Sequence, residues 1–83
     1  MTSTIEISIY PLHQDYPASV ISFIQKLKSY KGFEIQSNGM STIIIGHFET
    51  LWPELGRLME AQLSGEDSVF VLKVAPGRRE YVD

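Results

Sequence analysis

Two histidines and several serines are the side chains whose types could support metal binding or nucleophilic catalysis. His13 falls in a predicted loop and His47 at the end of a predicted strand, without a His-x-x-x-His or comparable ligand spacing between them. No serine lies in a Gly-x-Ser-x-Gly elbow, and neither histidine has an evident orienting acid beyond the loop neighbour Asp15. The sequence therefore predicts no metal site, no cofactor and no enzyme of the nucleophilic classes.

Nucleic acid and nucleotide phosphates are also poor matches to this composition. The glycines fall at turns or singly inside elements, so no phosphate-binding loop or dinucleotide fingerprint can be drawn. Ten acidic against seven basic side chains give a net charge of -3, which provides no overall positive field. An RNA-recognition motif needs aromatic and basic residues on its third strand, where residues 40–45 read Met-Ser-Thr-Ile-Ile-Ile.

Cysteine and targeting signals are absent from the sequence. The lack of cysteine excludes disulfides, thiolate metal ligands and thiol nucleophiles. Residues 1–6 contain no basic segment followed by an apolar stretch, and the longest aliphatic run is residues 43–45. We expect a cytoplasmic protein with no membrane partner.

Hydrophobic periodicity predicts the elements that must position any site. Alternation predicts strands at residues 4–10, 33–38 and 68–75, and residues 40–48, which are apolar on both sides, are expected to form a central strand with both faces covered. Three- and four-residue spacing predicts one helix from an Asp15 cap to a stop at Gly32, and a second from Glu49 or Thr50 to about Leu63. The order β-α-β-β-α-β predicts a single α+β domain over residues 1–83, a ferredoxin-like two-layer sandwich with an antiparallel four-stranded sheet and both helices on one face.

Two local details follow from the same patterns. Asn38-Gly39 predicts a tight type I′ turn between the second and third strands, because both residues tolerate positive φ. The buried stripe of the second helix is predicted to contain Leu51, Leu55, Leu58, Met59 and Leu63.

The open face of the sheet, defined as the face opposite the helices, is predicted to be half polar and half aliphatic. If the odd-numbered residues of the first strand face the helices, the open face displays Glu6, Ser8 and Tyr10 together with Val69 and Val71. A contiguous apolar patch usually marks an interface, so we expect a homo-oligomer paired through the sheet. The alternative is that Ile43–Ile45 only fill a monomeric core and the polar residues are solvated.

Two features of the second helix have both a functional and a structural interpretation. Phe48 and Trp52 could form an aromatic platform, although aromatics at such junctions more often close the core. Gly56 inside the helix could permit close approach of another element, or could simply be tolerated.

Residues 38–46, which read Asn-Gly-Met-Ser-Thr-Ile-Ile-Ile-Gly, resemble a strand of the YkoF-like family of thiamine- and hydroxymethylpyrimidine-binding proteins. In that family a turn, Met-Ser/Gly-Thr, an apolar stretch and a glycine recur there. Residues 6–11 are similar to the family's Glu-Ile-Ser opening with its terminating proline, and Lys73 with the arginines after it is similar to the family's last strand. One departure is Ile45, where many single-domain members carry an acid. The resemblance implies sheet-paired dimers, often dimers of dimers, that bind a thiamine-like molecule without catalysis.

The resemblance also implies a ligand site on the first and third strands. Thiamine joins an aminopyrimidine to a cationic thiazolium, so an acid such as Glu6 or Glu34, neutral hydrogen-bonding groups and a stacking aromatic would suit it. The implied ligand-binding residues are Glu6, Ser8, Tyr10, Asn38, Met40, Ser41 and Thr42. The structural alternatives are ordinary strand composition for the hydroxyls and a cross-strand pair with Lys73 for Glu6. Either Ser41 or Thr42 can face the open side, since residues 40–48 are apolar on both sides.

Three functions remain open from the sequence. The first is non-enzymatic binding of thiamine or its hydroxymethylpyrimidine moiety. The second is a homo-oligomeric regulatory or interaction module without a ligand. The third is a small enzyme on the same fold: an acylphosphatase would need an arginine after the first strand, where residues 12–15 read Leu-His-Gln-Asp, and a dimeric monooxygenase would have only His47 and Trp52 to use.

Overall fold

The computed structural model describes residues 1–13 and 16–79, without the Tyr16 side chain, and confirms the expected βαββαβ order. The elements are β1 (Thr2–Pro11), α1 (Tyr16–Lys28), β2 (Glu34–Ser37), β3 (Thr42–His47), α2 (Phe48–Gly65) and β4 (Ser68–Pro76). The expected cap at Asp15 and the last four residues of the chain lie outside the described residues.

The four strands form one antiparallel sheet in the order β2-β3-β1-β4. Ile5 lies opposite Ile44 of β3 and Val74 of β4, which fixes the register across the three strands. Because directly opposed residues share a face, the odd-numbered residues of β1 lie beside even-numbered residues of β3 and β4. The ferredoxin-like fold class is therefore confirmed, with β2 and β4 as the edges of the sheet.

The core lies between one face of the sheet and the two helices. Its fully buried apolar residues come from β1, β3 and both helices: Ile5, Ile7, Ile44, Phe23, Leu27, Leu51 and Leu55. Phe23 and Phe70 contact each other with ring centroids 5.0 Å apart. Within the described residues, neither helix combines the length and the apolarity needed to cross a membrane.

The predicted buried stripe of α2 is wrong at one position. Leu63 is 49% exposed, whereas the neighbouring Gln62 is buried. The Gln62 amide donates a hydrogen bond to Glu66, so its polar group is satisfied inside the protein. Leu63 instead borders a groove between α2 and the edge strand β4, where it contributes to the same surface as Met59 and Phe70.

The predicted type I′ turn at Asn38-Gly39 is also wrong. Among the described residues only Gly32 and Gly77 have positive φ, and a type I′ turn needs positive φ at both central residues. The strands are joined instead by the four residues 38–41. The backbone N–H of Asn38 donates to the Ser41 carbonyl (3.1 Å), and the Asn38 carboxamide oxygen accepts from the backbone N–H groups of Met40 (2.7 Å) and Ser41 (3.0 Å), so the side chain supports the connection.

The segment after β4 crosses the open face. Thr4 Oγ1 donates to the Gly77 carbonyl (2.7 Å) and accepts from the Arg79 N–H (2.9 Å). Arg78 then reaches β2 and pairs with Glu34, with Nη2 2.6 Å from Oε2, and this contact lowers the pKa of the Glu34 carboxyl. Residues 77–79 therefore form a strap across β1 and β3 to β2. Ile45 lies beside Thr4 on the open face and is only 3% exposed, so this end of the open face is covered.

Candidate ligand-binding site

A cavity lies where β1 extends beyond its neighbour β3. β1 pairs with β4 along its whole length to Pro11, but its pairing with β3 stops at Ile7. The space beside residues 8–11 is filled by neither strand, and it forms an end cavity of about 640 Å³, within the usual range of roughly 300–1,000 Å³ for small-molecule sites. Its lining residues are Ile7, Ser8, Ile9, Tyr10, Pro11, Pro17, Val20, Ile21, Phe23, Ile24, Asn38, Gly39, Met40, Ser41 and Thr42.

The unpaired edge of β1 directs backbone hydrogen-bonding groups into the end cavity. Gly77 N–H donates to the Thr2 carbonyl on the β4 side, and Phe48 N–H donates to the Met1 carbonyl on the β3 side. Because these directions alternate along an antiparallel strand, odd-numbered residues of β1 point their N–H and C=O groups toward β3. Ile9 therefore offers one donor and one acceptor, side by side, where β3 has already ended.

Six of the seven implied ligand residues line the end cavity. Ser8, Tyr10, Asn38, Met40, Ser41 and Thr42 are brought together there from β1 and from the 38–41 connection. Tyr10 is 53% exposed and Met40 is 86% exposed, so both side chains stand at the rim with free apolar surface. The Ser8 hydroxyl donates a long bond of 3.4 Å to the Met40 carbonyl.

Glu6 is the residue that does not line the end cavity. Its carboxylate accepts from the Ser41 hydroxyl at 3.3 Å, and Lys73 Nζ lies 3.6 Å from its other oxygen. Glu6 and Lys73 are directly opposed on β1 and β4, which is the cross-strand pair that sequence allowed as an alternative. Glu6 thus borders the site through Ser41 and is held on the open face.

The structure assigns Ser41 and Thr42 to different faces. Ser41 faces the open side, as its bond to Glu6 requires. Thr42 faces the helices and is 5% exposed, and its hydroxyl lies 3.0 Å from the Ser37 hydroxyl. Thr42 therefore forms the inner end of the cavity and is already hydrogen-bonded.

Sequence reasoning missed the wall that α1 contributes. Pro17, Val20, Ile21 and Ile24 line the cavity although they were assigned to a helix that packs on the core. The available signal was the width of the apolar surface, because Val20, Ile21 and Ile24 cover more of the helix than the core stripe of Phe23 and Leu27 needs.

A separate polar cluster lies behind α1 and was also not predicted. His13 Nε2 and the Ser19 hydroxyl each lie 2.6 Å from the same oxygen of Glu66, and Gln62 donates to the other oxygen. The bond from Ser19, followed by those from Gln62 and His13, lowers the pKa of Glu66 against the opposite effect of burial. The cluster joins the loop after β1 to both helices.

In its described contacts the polar cluster differs from a catalytic triad in the direction of the Ser19 hydroxyl bond, which runs to the carboxylate. In a triad the histidine contacts the nucleophile through one ring nitrogen and the acid through the other. Here Nε2 of His13 lies near both Glu66 (2.6 Å) and Ser19 (3.2 Å), and the Ser19 proton is directed to the carboxylate. No group of three or more His, Cys, Asp or Glu side chains that could hold a metal occurs in the described parts of the chain.

Comparison with known proteins identifies the fold and several solved structures that share it. No protein-family model matches the chain, and no curated protein matches it. A Streptococcus pneumoniae protein superposes with a TM-score of 0.83 at 20% identity, over 94% of this chain and 89% of that one. A hypothetical protein of Methanocaldococcus superposes with a TM-score of 0.76 at 22% identity, over 96% and 84%.

Two further solved structures share the fold. A Thermotoga maritima protein assigned by inference to thiamine biosynthesis or salvage superposes with a TM-score of 0.78 at 19% identity, over 89% of this chain and 82% of that one. A Bacillus cereus domain of unknown function, DUF77, superposes with a TM-score of 0.68 at 17% identity, over 100% and 83%. At these identities the similarity establishes the shared ferredoxin-like fold.

Proposed function

We propose that this protein binds thiamine or its hydroxymethylpyrimidine moiety in the end cavity, without catalysis, as a member of the YkoF-like family. The observation that carries the proposal is the uncharged cavity beside the unpaired edge of β1, because it combines apolar walls with a few fixed hydrogen-bonding groups. The fold shared with a protein assigned to thiamine biosynthesis or salvage supports it, as do the strand motifs at residues 6–11 and 38–46.

The chemistry of an aminopyrimidine suits the edge of β1. Its amino group is a donor and the adjacent ring nitrogen is an acceptor, both in the plane of the ring. The carbonyl and N–H of Ile9 present the complementary pair along one edge. A flat ring held there would lie against Val20 and Ile24 of α1, with Tyr10 at the rim able to stack on the ring or attract a thiazolium cation.

The proposal includes self-association through the open face. Val69 and Val71 are each about half exposed on that face, beside Tyr10. The strap of residues 77–79 covers the opposite end of the face, so the uncovered apolar surface lies near the end cavity. A partner sheet packed there would bury this surface and narrow the cavity entrance. A cytoplasmic location belongs to the same proposal.

The side chains that line the end cavity favour a binding role over an enzymatic role. Among the described residues, those lining the end cavity include no carboxylate, imidazole or amine. General acid–base catalysis near neutral pH usually uses one of these groups. The Ser8 hydroxyl donates to the Met40 carbonyl, and the Ser41 hydroxyl donates to Glu6, whose carboxylate lies outside the cavity and is paired with Lys73.

Isothermal titration calorimetry tests the proposal with thiamine, hydroxymethylpyrimidine and oxythiamine. Oxythiamine replaces the 4-amino group by an oxygen, so it presents an acceptor where the Ile9 carbonyl needs a donor. We expect saturable heat with the first two compounds and at least about tenfold weaker binding of oxythiamine, the equivalent of about 1.4 kcal/mol. Absence of heat with thiamine and hydroxymethylpyrimidine at millimolar concentration would contradict the proposal.

Two aromatic truncations locate the site. Tyr10→Ala removes a cavity residue and should weaken thiamine binding. Trp52→Ala removes a side chain of similar exposure that lies outside the cavity, where its ring stacks on Phe48, and should leave the affinity unchanged. The reverse pattern would support the aromatic platform at Phe48 and Trp52. A stable oligomer in which the cavity is filled by the partner and no ligand binds would favour the ligand-free interaction module.

A further inference from the structure

We infer that the end cavity selects the unphosphorylated, alcohol form of its ligand and excludes the phosphate esters of the same compound. The inference rests on the proposed function and adds a specificity that neither the fold nor the motifs supply. It follows from how the positive charges and backbone donors of the chain are distributed around the cavity.

No basic residue is among the described residues that line the end cavity. The chain has seven Lys and Arg residues, and residues 1–25 and 32–56 contain none of them. Those two stretches supply every described residue that lines the end cavity. The two residues that precede α1 in the sequence are a glutamine and an aspartate, neither of which is basic.

Two basic side chains on elements that adjoin the cavity are paired with carboxylates. Lys73 Nζ lies 3.6 Å from Glu6 on the open face. His13 lies in the loop after β1, and its Nε2 is 2.6 Å from Glu66 in the polar cluster behind α1. The charged group that borders the cavity through Ser41 is the Glu6 carboxylate, which would repel a phosphate.

Apart from the Ile9 N–H, the backbone donors of the 38–41 connection beside the cavity are engaged in hydrogen bonds. The N–H groups of Met40 and Ser41 point to the Asn38 carboxamide oxygen, so the 38–41 connection cannot turn them toward an anion without losing its own structure. At the N-terminal turn of α1, Pro17 has no N–H to donate. The carboxamide of Asn38 and the hydroxyls of Ser8 and Ser41 suit a neutral alcohol better than a dianion.

The energetic consequence is a large penalty for the charged ester. A phosphate monoester carries a charge of about −1.5 to −2 near pH 7, and moving it from water to an apolar cavity without a cationic partner is costly. The alcohol of the same compound needs one or two neutral hydrogen bonds instead. We expect the monophosphate to bind at least about tenfold more weakly than the alcohol, and the diphosphate more weakly still.

Calorimetric titration of the full-length chain with matched pairs tests the inference. The pairs are thiamine with thiamine monophosphate, and hydroxymethylpyrimidine with its monophosphate. The expected result is saturable binding of each alcohol and at least about tenfold weaker binding of each ester. Equal or tighter binding of the esters would overturn the inference and leave the proposed function intact. Lack of binding by all four compounds would overturn the proposed function and this inference with it.

A variant with one added charge gives an independent test. Ile21 is 56% exposed on α1 at the rim of the cavity, so a longer side chain fits there without repacking the core. Ile21→Lys should reduce the discrimination between thiamine and its monophosphate by about threefold or more, and added salt should restore it. Ile21→Gln has similar polarity without the charge and should keep the wild-type ratio. An unchanged ratio in Ile21→Lys, or an equal change in both variants, would contradict the charge argument.

Discussion

Replacing Gly46 by alanine should destabilise the protein, because the strand approaches an aromatic ring at this position. Gly46 lies in β3 opposite Ser3, on the face that carries the helices. An added Cβ would lie 2.9 Å from Phe33 Cδ1, which is closer than carbon atoms can pack. The Phe33 ring packs against the core and lies 6.1 Å from the Tyr30 ring, so it cannot move away freely.

The magnitude follows from two opposing effects. Overpacking a well-filled site costs roughly 1–3 kcal/mol. Replacing a strand glycine by alanine recovers about 0.5–1 kcal/mol, because the unfolded chain loses conformational freedom. The net loss in the free energy of unfolding should be about 0.5–2 kcal/mol, which corresponds to a fall in Tm of about 4–8 °C for each kcal/mol in a domain of this size.

Urea unfolding followed by the fluorescence of Trp52 measures the effect. Gly56→Ala is the matched control, since a Cβ at Gly56 in α2 would have nothing within 4 Å. The control should stabilise the protein by about 0.5–1 kcal/mol, as alanine does in a helix interior. A Gly46→Ala variant as stable as the wild type, or a Gly56→Ala variant that loses as much stability, would refute the packing argument.

The remaining predictions concern the strap, the open face and the polar cluster. Thr4→Val removes the hydroxyl that holds two strap groups and should cost about 1–2 kcal/mol in chemical denaturation; a neutral variant would contradict the strap's role. Val71→Glu should shift the oligomer toward monomer in light scattering, whereas Val74→Glu, equally exposed on the other face of β4, should not; equal effects would argue against pairing through the open face. Glu66→Gln should flatten the acid limb of the stability–pH curve. A lowered pKa gives stability that is present above the ordinary value of 4.5 and lost as the pH falls through the folded value; parallel curves for variant and wild type would count against this.

The fold was predictable from the sequence because hydrophobic periodicity is a local signal. Ile5, Ile7 and Ile9 alternate in β1, and the three-residue spacing of α1 needed no tertiary information. The errors came where side chains replace backbone patterns. The Asn38 carboxamide forms the connection that the Asn-Gly pair was expected to form as a type I′ turn, and the Gln62 amide is buried because Glu66 lies within reach.

The candidate site was predictable in part for the same reason. Ser8, Tyr10 and the 38–42 segment could be identified from motif and alternation, and the register decides between Ser41 and Thr42 only once β1 and β3 are paired. The cavity itself arises from a difference in strand length, because β1 continues beyond β3. No local pattern of the sequence predicts that difference in strand length or the approach of α1 to the gap.

The location of the ligand is the most direct test of the central claim, that the end cavity is the binding site. An amide-detected NMR titration of the labelled protein with thiamine reports the contact residue by residue. The claim predicts saturable shifts at Ile9, Met40 and Ser41, with the Trp52 indole unmoved. Shifts confined to the polar cluster around His13 and Glu66, or no saturable shifts at all, would contradict it.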